Sequence, residues 1–391
     1  MDCFVQRRDI MAKNEMKKLR AHQQRLHEVY ASAGDLDCRI LGESEHTNQP
    51  IGTFLHACAF RGDHEKCFEL LRRDSKDLNK KNEFGETPLH LACMTANYRC
   101  IKTLLYFETK TNIQSDLLYT PLNLYFSNTP ENEDILKNLL DAGANPDIPD
   151  KDGYSPLHTL AFQDETDKTE IFARLLLKYR ANIDSQSNLN ETPLHLAISR
   201  GRKRLVKVLL DSGATFTAFD VHGRTAIDIS FHYEILYPTI YDLVAKHVII
   251  QYCLGFRRMN LQLFQKVCNS ETHRNFKRSS EEELQELKST FAGESTVSFY
   301  EILLLSTHTV AKYFFNASIV VSFRKFYMEE YIFGPILLKK YEKAMERSDR
   351  IKLGILASKE MFPFLPDLCV DKLFEYLDIE DFNNLYKATF F

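Results

Sequence analysis

Between residues 50 and 235 the apolar positions arrive in short bursts, each opened by a Thr- or Ser-centred motif. The motifs are GTFLH from Gly52, ETPLH from Glu86, YTPLN from Tyr119, YSPLH from Tyr154, ETPLH from Glu191 and GRTAID from Gly223. Their Thr or Ser falls at positions 53, 87, 120, 155, 192 and 225, giving spacings of 34, 33, 35, 37 and 33. Thr-Pro starts a helix, because Thr caps free backbone N–H groups and Pro at the first helical position lacks a donor that would go unused. A second helix in each unit is marked by an apolar pair: Leu104-Leu105, Leu139-Leu140, Leu176-Leu177 and Leu209-Leu210. The turn after it needs a positive φ, which Gly143 and Gly213 supply. Glu108 and Arg180 stand at the equivalent turns, so strain or rearrangement is expected there. The longer spacings place extra residues in Ser127–Asp134 and Phe162–Glu170, between the paired helices, where an insertion enlarges a turn without disturbing stacking.

A period near 33 residues with this T-P-L-H core resembles the ankyrin repeat over roughly residues 50–235. The resemblance implies an all-α solenoid of about five to six repeats, built of helix pairs with short β-hairpin loops. Residues 1–49 then read as a helical N-terminal cap or degenerate repeat. The histidines of the motif recur once per repeat, so stacking spreads them into a ladder. Their expected role is to bond neighbouring loop backbone, not to gather about a metal or a substrate. The functional surface is expected at the loop tips and on the concave face of the first helices. Its candidate target-binding residues are Phe84, Glu86, Met94, Leu117, Tyr119, Tyr154, Phe162, Leu189, Arg200 and His222, since exposed aromatic and aliphatic anchors favour protein partners.

After Ile229 the repeat grammar disappears. Residues 236–360 are helix-patterned, aromatic and poor in Gly and Pro, which predicts a helical domain covering the exposed apolar face of the last repeat. Ser279-Ser280 followed by Glu281-Glu282-Glu283 reads as a capped, solvated helix start, with Leu284 and Leu287 on its buried side.

Composition narrows the function. The 391 residues carry 50 basic and 54 acidic side chains, a net charge of −4, so a whole-chain electrostatic footprint for nucleic acid is missing. Nine cysteines show no CxxC pair and no Cys/His cluster at metal-ligand spacing, the pattern of reduced thiols in an intracellular compartment. The first residues lack the apolar run of a secretory signal, and neither Val244–Phe256 nor Val297–Phe323 reads as a membrane span. The Asn316-Ala317-Ser318 sequon is then irrelevant, and the expected location is cytoplasmic, with nuclear entry open because Lys17-Lys18 and Arg257-Arg258 are only short basic stretches. No phosphate-binding loop, nucleophile elbow, zinc-binding HExxH or paired-carboxylate motif appears, so neither enzymatic activity nor a cofactor is expected.

The last stretch, LPDLCVDKLFEYLDIEDFNNL from Leu365 to Leu385, is apolar at helical intervals and opens with Leu-Pro. It resembles the first part of an F-box. Leu373 and Phe374 occupy the paired aliphatic slot, Tyr376-Leu377-Asp378 is the usual centre, and Asp381-Phe382 stands where Asp-Leu is commonest. Cys369 stands where an aliphatic is commoner. An ankyrin array, a helical region and a truncated F-box at residues 361–391 together resemble the PRANC family (poxvirus repeats of ankyrin, C-terminal), found also in intracellular bacteria and parasitoid wasps. That resemblance implies an adaptor: the repeats select a target and the tail docks on the Skp-type linker of a cullin-containing SCF ubiquitin ligase. Leu365, Pro366, Leu373, Phe374, Leu377 and Phe382 would form the docking face. Two alternatives stand beside it. The tail could complete the core of the helical domain, and the chain could be a non-catalytic ankyrin binder that sequesters an NF-κB-like factor.

Overall fold

The computed structural model describes residues 21–28, 30, 52–127, 132–255, 261–290, 298–304, 332, 333 and 335–346. The chain divides into two compact units, residues 1–244 and 245–391.

The first unit is a stack of helix pairs. They are α1 (Phe54–Arg61) with α2 (His64–Arg73), α3 (Pro88–Met94) with α4 (Tyr98–Tyr106), and α5 (Pro121–Ser127) with α6 (Glu133–Asp141). Next come α7 (Pro156–Phe162) with α8 (Thr169–Lys178), α9 (Pro193–Ser199) with α10 (Lys203–Asp211), and α11 (Ala226–His232). The odd-numbered helices pack on one another in order, and the even-numbered ones form a second layer behind them. The first helices start where the sequence indicates. Thr87, Ser155 and Thr192 each cap a helix with Pro in its first turn, and the His three residues on reaches back to the capping residue's amide. The loop 163–168 falls between paired helices, and residues 128–132 likewise separate α5 from α6.

Glu108 and Arg180 take φ of 58° and 63°, the left-handed conformation that Gly143 and Gly213 adopt at the same turn. The expected strain is therefore present. Between repeats the core is aromatic as well as aliphatic: Phe126 and Phe172 are fully buried, edge to face, with centroids 6.1 Å apart.

Among the described residues the tips form turns, each closed by a backbone bond such as Asn82 N–H to Glu86 O at 2.8 Å, and no strand is assigned in them. Helix α12 spans Pro238–Cys253.

The second unit holds α13 (Leu261–Val267), α14 (Glu271–Ser289), α15 (Phe299–Leu304) and a helical stretch over 335–346. Leu284 and Leu287 are buried as expected. The helix start expected at Ser279-Ser280 is corrected here. The helix begins nine residues earlier, where the Ser270 hydroxyl accepts from the His273 amide. Ser280 is fully buried and donates to the Phe276 carbonyl, which lets it sit inside a helix. Glu283 ties down a distant stretch of backbone, since its carboxylate accepts from the amides of Ile332 and Phe333 at 2.6 and 2.7 Å. No helix among the described residues is long and apolar enough to cross a membrane.

Candidate protein-binding surface

Each tip is built by one polar side chain. The side chains of Asn82, Ser115, Asp150, Ser187 and Asp220 accept from the amides two or four residues ahead. The fourth tip position then takes a positive φ, at Gly85, Leu118, Gly153, Asn190 and Gly223 in turn. Neighbouring tips are joined edge to edge: Asp116 N–H donates to Phe84 O, Asn188 N–H to Asp152 O and Val221 N–H to Leu189 O.

The histidine ladder ties helix starts to these tips. Nδ1 of His90 accepts from the Thr87 amide at 3.0 Å, which leaves the proton on Nε2, and that nitrogen donates to Tyr119 O at 3.0 Å. His56 and His158 reach Glu86 O and Glu191 O in the same way, and His195 reaches Ala218 O. Burial holds the imidazoles of His56, His90 and His158 down at about 4, so they are neutral scaffolding. Among the described residues no three His, Cys, Asp or Glu side chains converge on a metal position.

The expected target-binding residues fall into three groups. Phe84, Glu86, Met94 and Tyr119 line a groove over α1, α3 and α5, and a segment of the same chain, helical over residues 21–28 and at 30, lies there. Leu26 and Tyr30 are fully buried in one cluster with Ala57, Phe60, Leu91, Met94 and Leu124, and Phe84 and Tyr119 pack against it. His22 Nε2 donates to the Glu86 carboxylate at 2.8 Å and meets the Phe84 ring edge to face at 4.6 Å. The Arg25 guanidinium lies over the Phe84 ring, 5.6 Å from its centroid. Arg61 Nε donates to Tyr30 O at 2.6 Å. A stacked cap would touch the next repeat alone, whereas this segment shares a cluster with three.

A second group forms one half-buried cluster: the Arg200 guanidinium sits 4.6 Å from the Phe162 centroid, and Tyr154 meets Phe162 edge to face at 4.9 Å. The third group lies along the tips, with Leu117 43% exposed, Leu189 half-buried and His222 exposed.

The sequence reading missed Leu118, Phe219 and Val221, which are 46%, 62% and 47% exposed on the same edge. The signal available was their apolar character beside a tip. It also missed His22, Leu26 and Tyr30, whose four-residue spacing was the available clue. The tail residues Leu365, Pro366, Leu373, Phe374, Leu377 and Phe382 lie outside the described residues.

Comparison with known proteins bears on this surface. The family model for ankyrin repeats matches in three overlapping copies, at residues 36–116, 54–146 and 124–220. An ankyrin repeat protein of fowlpox virus is 33% identical over 143 residues, covering 36% of this chain and 71% of that one. The human transient receptor potential cation channel subfamily A member 1 is 28% identical over 198 residues, covering 41% of this chain and 18% of the channel. The chicken nuclear factor NF-κB p105 subunit is 27% identical over 164 residues, covering 39% of this chain and 16% of the subunit. The chain thus spans less than a fifth of the channel and of the p105 subunit.

Proposed function

Because the chain belongs to the ankyrin-repeat family, we propose that it is an adaptor whose repeats hold a target protein and whose residues 361–391 dock on the Skp-type linker of an SCF ubiquitin ligase. The observation that carries the target-binding half is the exposure of large apolar side chains at the tips, Leu117 and Leu118 at one and Phe219 and Val221 at another, each tip being hydrogen-bonded to its preceding neighbour. Ordered apolar anchors of this kind cost little entropy to bury against a partner. Leu117, Leu189, His222 and the Tyr154, Phe162 and Arg200 cluster are the proposed contacts there, with Phe84, Glu86, Met94 and Tyr119 in the groove.

The ligase half rests on the F-box resemblance of Leu365–Leu385, with Leu365, Pro366, Leu373, Phe374, Leu377 and Phe382 as the docking face. The adaptor does no chemistry of its own and acts by raising the target's concentration at the ligase. This reading puts the chain in the cytoplasm. Domain limits near residues 49, 235 and 360 are part of the same proposal.

The test is capture of purified Skp-type linker and cullin by the full chain, beside a chain ending at Pro363. Capture by the first and loss in the second supports docking. Capture by neither, with both chains folded, overturns it. The similarity to the chicken NF-κB p105 subunit favours a second reading, a non-catalytic binder that sequesters a signalling or transcription factor. That reading predicts target binding unchanged by the truncation.

A further inference from the structure

His22, Leu26 and Tyr30 stand at four-residue steps, so they form one stripe on a helix. The stripe lies along the groove: Leu26 and Tyr30 enter the apolar cluster, while His22 bonds Glu86 near one end and the Tyr30 carbonyl meets Arg61 near the other. At one side Glu86, 3% exposed, is fixed by Asn82 Nδ2 at 3.1 Å and accepts a hydrogen bond from His22 Nε2. At the other, Arg61 takes a backbone carbonyl of the segment. Uncovered, Phe84, Met94 and Tyr119 would leave an apolar trough in water. These features describe a receptor for a helix of fixed polarity and register.

We infer that this is a helix-binding groove and that residues 21–30 are its resident occupant, displaced by a partner helix of the same chemistry. The partner is an amphipathic helix with a basic or imidazole donor, a leucine and an aromatic ring at successive four-residue steps. The donor faces Glu86, the leucine and the ring enter the cluster, and the carbonyl beside the ring meets Arg61. The inference rests on the target-binding reading above and names the ligand class at one part of that surface. Since the occupant is tethered, it competes at high effective concentration, so the groove answers only to a helix that fits better or is locally concentrated. The segment therefore sets the threshold for target capture.

The test uses the full chain and a labelled peptide of residues 20–31, RAHQQRLHEVYA, followed by fluorescence anisotropy. Releasing the resident segment with Leu26→Asp and Tyr30→Ser together is expected to strengthen peptide binding by about tenfold or more over the unaltered chain. Adding Glu86→Gln should weaken that binding, and a peptide carrying His22→Ala should be insensitive to Glu86→Gln. Equal or absent binding to the released chain, with its helix content intact, overturns the inference. If the released chain fails to fold, hydrogen exchange on the unaltered chain decides. Amides of 21–30 opening about tenfold faster than those of α3 support a displaceable occupant, and equal protection makes the segment integral core. Capture of the ligase linker depends on neither result, so loss of this inference and loss of the adaptor reading are separable.

Discussion

His90 Nε2 donates to the carbonyl oxygen of Tyr119 at 3.0 Å, so the start of α3 holds the tip of the following repeat. The bond needs a neutral ring, because Nδ1 must accept from the Thr87 amide at the same time. Burial holds His56, His90 and His158 at about 4, below the roughly 6.5 of an unfolded chain. The unfolded state therefore binds more protons between these values. Stability is full above about pH 6.5 and is lost as pH falls through about 4, by up to ~3 kcal/mol for each ring. Asp150, pushed up to about 6 by burial, works in the opposite direction and offsets part of the loss. Urea denaturation at pH 7, 5.5 and 4.5 should show this fall. His90→Asn, which copies the natural Asn123 of the next repeat, should cost about 1 kcal/mol at pH 7 and flatten the pH slope.

Glu108 and Arg180 carry the left-handed turn that glycine serves in two sister repeats. An L side chain in that conformation costs about 1–2 kcal/mol, against which the extra freedom of unfolded glycine counts. Glu108→Gly and Arg180→Gly should each stabilise the first unit by about 0.5–1 kcal/mol, read as a raised urea midpoint at unchanged slope. A lowered midpoint would show that the side chains contribute more than the turn costs.

These turns also show what the sequence made legible. Caps, prolines and positive-φ turns act within a few residues, so the period, the helix starts and even the two strained turns could be read directly. The occupant of the groove could not. His22 and Glu86 are 64 residues apart, and a three-residue stripe carries no local signature of where it will lie. Glu86 reads as a tip residue on the surface, yet it is buried, as is the equivalent Glu191, and it pairs with a segment outside the repeat pattern. Ser279-Ser280 failed for a related reason. Serine before acids signals a helix start only when its hydroxyl caps an amide, and Ser280 bonds backward to Phe276 instead.

In the second unit Glu283 gathers two amides, those of Ile332 and Phe333, across 49 and 50 residues of chain. Charged acceptors for paired amides are worth about 1.5–3 kcal/mol each pair member at most, and less when half exposed. Glu283→Ala should therefore destabilise the second unit by about 2 kcal/mol and speed hydrogen exchange over 335–346. Glu283→Gln, which keeps an acceptor without the charge, should recover part of the loss. Unchanged exchange in both would remove the role assigned to this carboxylate.

Phe126 of α5 and Phe172 of α8 meet edge to face across a repeat boundary, and both are buried to within 1%. A stacked array gains its cohesion from such interfaces between neighbours. Truncating either ring should cost about 3–5 kcal/mol, from lost burial and the cavity left behind. Because the two rings share that space, Phe126→Ala and Phe172→Ala together should cost less than their sum, by about 0.5–1.5 kcal/mol of coupling. A double-mutant cycle in urea measures it. Losing one interface should also split unfolding into two steps, with residues on either side of the boundary melting at different urea concentrations. A single cooperative step in Phe126→Ala would mean that the remaining contacts between these repeats suffice to couple the array, and that this aromatic pair adds stability without setting cooperativity.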